Sequence, residues 1–232
     1  MQRIVTLDTE TTGLDWKRGD RVIEIGAVEI IGRQLTGRQF HEYLDPERDI
    51  DEGASAIHGL TREMLAGKPK FADVAAPLLD FLRGATVVIH NAAFDLGFLN
   101  AELARVGLDP IEQVSAKIVD TLKLAKALDP TKRASLDALC ERYGVDNRHR
   151  TLHGALLDAA LLAEVYLAMT RGQEMLLLDE AAGKGRSGLE RWVRPPTLVL
   201  REVIVTADEL AEHEAILADL DQASGGKTLW KR

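Results

Sequence analysis

The 232-residue chain has a single cysteine, Cys140. One thiol excludes an internal disulfide and fits a reducing compartment. Its setting, Leu136-Asp137-Ala138-Leu139-Cys140, reads as the core side of a helix, so Cys140 is expected to be structural. Positive charge is scarce as well. The chain carries 29 Lys and Arg against 37 Asp and Glu, a formal net charge of −8. Phosphate contacts normally come from Lys and Arg, so such a chain is a poor nucleic-acid binder by itself. Any nucleic acid it handles is expected to be held through metal ions or presented by a partner. No run of about 18 apolar residues occurs, and no apolar leader opens the chain. These absences predict a cytoplasmic protein with no membrane partner. Neither an internal repeat nor a low-complexity tract is visible. A hydrophobic content of 46% over this length suits one sizeable domain with an appendage.

The stretch Ile4-Val5-Thr6-Leu7-Asp8-Thr9-Glu10-Thr11-Thr12-Gly13 stands out from this background. An apolar, β-branched run leads into two carboxylates. Side chains on a strand alternate faces, so Asp8 and Glu10 point the same way. Their repulsion calls for a cation, and magnesium or manganese prefers such hard oxygen ligands. An isolated D-x-E is more often a solvated surface strand, so the rest of the chain decides.

Strands are predicted at 3–7, 21–31, 39–44, 86–89 and ending near 118–121. The first three read as a meander punctuated by Gly32 and Gly37. Helical spacing marks 71–82, 94–106, 122–128, 136–143 and 156–169, with Ser135 as a cap. Residues 46–52 read as a loop, and Thr61 as the cap of a short helix. The fully apolar Val87-Val88-Ile89 suits a central sheet position. Meandering strands followed by strands alternating with helices give an α/β fold, a mixed central sheet flanked by helices. The texture changes after Met169. Residues 1–170 read as one domain, 171–196 as a Gly- and Pro-bearing linker, and 197–232 as a small docking segment. In that segment Thr206-Ala207-Asp208-Glu209 is a capping box opening a helix.

Three more residues belong beside Asp8 and Glu10. Asp95 follows the buried strand at a helix start, and Asp158 lies in the first turns of a late helix. His153 precedes Asp158 by five residues, about 140° apart on a helix. The two converge only if His153 projects from the loop or the helix's first residue, and Gly154 fits such an entry. Singly, each has a plain explanation: a helix-dipole partner, a solvated acid, a loop histidine.

Jointly, D-x-E on the first strand, Asp after a buried strand and H-x-x-x-x-D on a late helix resemble the DEDDh superfamily of 3′→5′ exonucleases. That resemblance covers residues 4 to about 168 and implies a ribonuclease-H-like fold. Thr9-Glu10-Thr11-Thr12-Gly13, Ile23-Glu24-Ile25-Gly26-Ala27, Val88-Ile89-His90-Asn91-Ala92-Ala93-Phe94-Asp95 and Arg150-Thr151-Leu152-His153-Gly154-Ala155-Leu156-Leu157-Asp158-Ala159 are similar, more narrowly, to the proofreading epsilon subunits of bacterial DNA polymerase III. The resemblance implies two divalent ions, Mg or Mn, with Asp8 bridging, Glu10 and Asp158 on one ion and Asp95 on the other. It implies His153 as general base. It also implies contacts to the terminal nucleotide from Asp8, Glu10, Thr11, Leu14, His58, Asn91 and Asp158, with His90 beside Asn91. The implied partners are a DNA 3′ end and the polymerase alpha subunit, bound through the C-terminal segment with Trp230 as anchor. A sliding clamp bound at 173–178 through Gln173, Leu176 and Leu178, and a small accessory subunit, complete the set. One departure concerns the stretch before His58. Relatives tend to carry Pro-Glu-Ala-Phe where this chain has Glu52-Gly53-Ala54-Ser55, which leaves Glu52 as the candidate acidic contact. Two other readings are weaker. A stand-alone exoribonuclease would need its own basic surface or a dimer partner. A non-catalytic adaptor needs none of the five residues.

Overall fold

The computed structural model describes residues 2–148, 150, 152–171 and 206–225. Five strands form its sheet: β1 (Arg3–Thr11), β2 (Val22–Ile31), β3 (Gln34–Tyr43), β4 (Thr86–Ile89) and β5 (Lys117–Asp120). Their order is β3-β2-β1-β4-β5. The first three form the expected antiparallel meander, whereas β4 and β5 run parallel to β1. The mixed sheet predicted from sequence is therefore present. Its ladder differs in two places. β1 extends through Thr11, past the carboxylates, and β3 starts at Gln34 rather than 39. Gly32 and Arg33, at φ 58° and 63°, are the two-residue turn joining β2 to β3. Both angles are positive, as a hairpin turn matched to strand twist requires. Gly37 lies within β3 rather than marking its edge, beside a register shift opposite Val28–Ile30.

Helices cover both faces of the sheet. They are α1 (Glu52–His58), α2 (Arg62–Leu65), α3 (Phe71–Leu82), α4 (Ala92–Arg105), α5 (Ile111–Val114), α6 (Thr121–Leu128), α7 (Leu136–Tyr143) and α8 (Ala155–Met169). Ser135 caps α7 as expected. Thr61 takes the N-cap position of α2 but makes no side-chain cap bond. The segment 46–52, read as loop, gives up Glu52 to α1. Alternation along β1 splits the core. Val5 and Leu7 pack with Val87, Ile89 and the apolar sides of α3 and α4. On the opposite face Val88 packs with Leu139, Cys140, Leu161 and Val165 of α7 and α8. Cys140 is thus buried core, and burial pushes its thiol up to about 11. Each fully buried Leu or Ile contributes roughly 1.5–3 kcal/mol of transfer free energy.

A close approach between β2 and α8 aligns the two halves of the cleft. Gly26 pairs with Asp8 across the β1–β2 ladder. A Cβ at Gly26 would lie 2.2 Å from the backbone of Ala155 and Leu156. Only a residue without a side chain lets the start of α8 rest on the sheet there. Thr6 then donates its hydroxyl to the Ala159 carbonyl at 2.8 Å, fixing α8 over the face that carries Asp8.

Residues 206–225 belong to a second unit. They contain α9 (Ala207–Ser224), opened by the expected capping box. Glu209 N donates to Thr206 Oγ1 at 3.3 Å, and Thr206 N to Glu209 Oε2 at 2.9 Å. Leu210, Ile216 and Leu220 are exposed on it. The linker, the strand-like runs 198–205, the clamp residues Gln173, Leu176 and Leu178, and Trp230 lie outside the described residues. No helix among the described residues is long and apolar enough to cross a membrane.

Candidate active site

The functional side chains gather at the carboxyl ends of β1 and β4, where parallel strands leave backbone and helix starts free to frame a crevice. β1 supplies Asp8 and Glu10. After Ile89, His90 and Asn91 turn the chain into α4, with Asn91 in the left-handed region at φ 62°. That turn sets Asp95 in the first turn of α4, where Thr9 donates to its Oδ1 at 2.7 Å. His153 precedes the N-cap Gly154 of α8, so it projects from the loop as its spacing to Asp158 demanded. Its backbone N–H is pinned by the Ile57 carbonyl at 3.1 Å. Asp158 follows in the first turn of α8.

A cleft of about 370 Å³ results, lined by Asp8, Glu10, Asn91, Asp95, His153 and Asp158 together with Thr9, Ile57, His90, Phe94, Ser135, Leu136, Asp137 and Arg150. Sequence reasoning left the last of these without a role. Arg150 is the cation of the cluster. Its Nε and Nη2 donate to Asp158 Oδ1 and Oδ2, both at 2.5 Å, and its Nη1 to Asp137 Oδ1 at 2.8 Å. Nη2 also stands 2.9 Å from His153 Nδ1. The missing signal was electrostatic, since so many buried acids require a nearby cation and Arg150 lies only three residues before His153.

Thr11, Leu14 and His58 do not line the cleft. Thr11 is buried and donates to the Gly13 carbonyl, while Leu14 is 81% exposed. His58 is buried at the end of α1, where its Nδ1 accepts from Leu60 N at 3.0 Å. Its Nε2 is buried, and burial lowers its pKa against an opposing interaction with the Thr11 backbone. Glu52 is exposed on α1 and also stands outside the cleft lining.

Burial and mutual repulsion raise Asp8, Glu10 and Asp95 far above the usual carboxylate range. Glu10 is raised to about 8 by burial first, then by Asp158 and Glu24, with Arg150 opposing. Burial raises Asp95 to about 7 against the Thr9 hydrogen bond. Asp8 is raised well above its ordinary value by burial and by Asp95, Asp158 and Glu10. A set of hard oxygen donors that repel one another is a site that binds divalent cations. Glu10, His153 and Asp158 offer ligand atoms within 4.8 Å of one another, so the residues present fit a metal ion.

Residues 5–166 match the model of the Exonuclease family. The DNA polymerase III subunit epsilon of Escherichia coli (strain K12) is 48% identical over 238 aligned positions, covering 99% of this chain and 97% of that one. The chain belongs to the DNA polymerase III epsilon family. The epsilon subunit of Pasteurella multocida (strain Pm70) is 43% identical, again covering 99% of this chain and 94% of that one. Among solved structures, exonuclease X in complex with 5′ overhanging duplex DNA superposes with a TM-score of 0.57 at 28% identity, covering 72% of this chain and 91% of that one. Exonuclease I from Methylocaldum szegediense reaches a TM-score of 0.65 at 22% identity, covering 80% of this chain and 44% of that one, and supports the fold. As an epsilon-family member, the chain is a metal-dependent 3′→5′ proofreading exonuclease.

Proposed function

We propose that this epsilon-family chain removes mispaired nucleotides from DNA 3′ ends with Asp8, Glu10, Asp95, His153 and Asp158 as its catalytic groups. The observation that carries the assignment is their convergence in one cleft from β1, α4 and the entry to α8. Asp8, Glu10, Asp95 and Asp158 would hold two Mg or Mn ions. Such ions supply a strong nucleophile near neutral pH and charge stabilisation at attacking and leaving oxygens. The chain's own residues do the rest. His153 is exposed on the cleft side and accepts the proton of the attacking water, a general-base role that imidazole commonly fills. Thr9 holds Asp95 against reorientation through its 2.7 Å bond. Asn91 lines the cleft beside the acids, positioned to contact the terminal nucleotide. His58 lies beside the Thr11 backbone and would make a polar contact to that nucleotide after a small movement of α1. Thr11 and Leu14, at the end of β1 and just beyond it, would contact the sugar and base, although neither lines the cleft itself.

The family relationship supports assembly with the polymerase in the cytoplasm. Within that assembly the C-terminal segment, with Trp230, would contact the alpha subunit. Gln173, Leu176 and Leu178 would contact the sliding clamp, and a small accessory subunit would bind the catalytic domain. The test is an end-labelled primer with a mispaired 3′ nucleotide, incubated with Mg or Mn and with a chelator. Nucleotides should leave one by one from the 3′ end only when metal is present. Release from the 5′ end, or equal release under chelation, would defeat the assignment.

A further inference from the structure

The chain is acidic overall, but residues 121–150 carry seven Lys and Arg against four Asp and Glu. This local inversion surrounds a second groove of about 550 Å³, lined by Lys132, Arg133, Asp137, Glu141, Arg142 and Asn147 with Ala138. Asp137 lines both this groove and the catalytic cleft, so the two adjoin. We propose that this basic groove is the track for the backbone phosphates of the substrate strand that precede the terminal nucleotide. The proposal rests on the exonuclease reading of the adjoining cleft.

Of the two acids lining the groove, Asp137 is committed and Glu141 is exposed. Asp137 accepts from Arg150 at 2.8 Å and from Asn147 Nδ2 at 3.1 Å. Outside the groove Asp129 is paired with Lys132 at 3.0 Å and with the Thr131 hydroxyl at 2.7 Å. Of the three cations lining the groove, Lys132 is paired with Asp129 and Arg133 is the least committed. The Arg133 guanidinium is exposed and makes no ion pair or side-chain hydrogen bond among the described residues. Arg142 donates to the Arg133 carbonyl at 2.5 Å, which ties the loop to α7. Folding does not require a solvent-facing Arg133. A single strand entering the cleft needs cations along its phosphates, and a positively charged groove supplies them without regard to base sequence. On a protein of net charge −8, the groove lining carries three cations against two acids, a locally positive surface for an anionic strand.

The test compares the full chain with its Lys132→Glu/Arg133→Glu variant on two substrates at several salt concentrations. One is a single strand of about ten nucleotides, long enough to occupy such a groove. The other is the p-nitrophenyl ester of thymidine 5′-monophosphate, whose one phosphate reaches only the cleft. The KM for the strand should rise about tenfold or more. Its salt dependence should become shallower by about one unit in log–log slope, near 0.7 per lost phosphate contact. Ester turnover should stay unchanged, which also reports that the variant is folded. The milder Arg133→Ala should raise the strand KM in the same direction by a smaller factor. Parental strand KM and salt slope in both variants would overturn the proposal, as would equal losses on both substrates. Failure of the unaltered chain to turn over either substrate would instead overturn the exonuclease reading, and this proposal with it.

Discussion

Glu10 and Asp95, raised to about 8 and about 7, give the metal-free cleft a measurable signature. A carboxyl with a higher pKa in the folded chain than in the unfolded chain binds more protons when folded. For Glu10 that window runs from 4.5 to about 8. Stability must therefore fall as pH rises through the window. In chelator, the thermal midpoint should decline across it. Manganese binds the deprotonated site, so its stabilising shift should be larger near pH 8 than near pH 5.5, with about one proton or more released per site filled. A flat midpoint and a pH-independent manganese shift would contradict the raised pKa values. His153 makes a separate prediction. His153→Ala should lower turnover by roughly 10²–10⁴-fold, the usual worth of a positioned base. Manganese binding should change by much less. An unchanged acidic limb in the pH–rate profile of the variant would remove His153 from that role. The acids and the histidine were legible in the sequence because strand alternation and motif order mark them. Arg150 was not, because a guanidinium's role depends on which carboxylates the fold brings to it.

Among the elements, the seating of α8 on β2 decides whether the two halves of the cleft meet. A methyl group at Gly26 would sit 2.2 Å from the α8 backbone, too close for any rotamer change to relieve. Gly26→Ala should lift α8 and cost about 1–3 kcal/mol, the usual range for overpacking. It should also lower kcat more than it raises KM, because Asp158 and His153 move together relative to Asp8. Thermal melts and steady-state kinetics check both effects, and parental values would refute the close-approach argument. Element existence was well marked by periodicity, and α3, α7 and α8 came within a residue of their expected bounds. The start of β3 was missed because Gly37 looked like punctuation. In the fold it sits within the strand at φ 82°, beside a register shift that absorbs it. The four-residue α5 is too short to show any periodicity.

For the whole molecule, the proposed catalytic groups lie within residues 1–170 and the proposed polymerase and clamp contacts lie beyond. Residues 206–225 form a capped helix with exposed Leu210, Ile216 and Leu220, too little to bury a core alone. As proposed, a C-terminal segment docked on the polymerase would hold the nuclease near the primer end at roughly millimolar effective concentration. The alpha subunit should therefore stimulate mismatch removal by the full chain but not by residues 1–180. Equal stimulation of both would show that the tail is not the tether. Beneath these relations lies one claim, that the carboxylate cluster around Asp8 performs metal-dependent hydrolysis at a DNA 3′ end. The most direct measurement is release of a labelled, mispaired 3′ nucleotide in saturating magnesium by the parent chain and by Asp8→Ala, each checked for folding by its thermal melt. The account predicts a folded Asp8→Ala protein whose release is indistinguishable from the chelated parent. Near-parental release by that variant would contradict it.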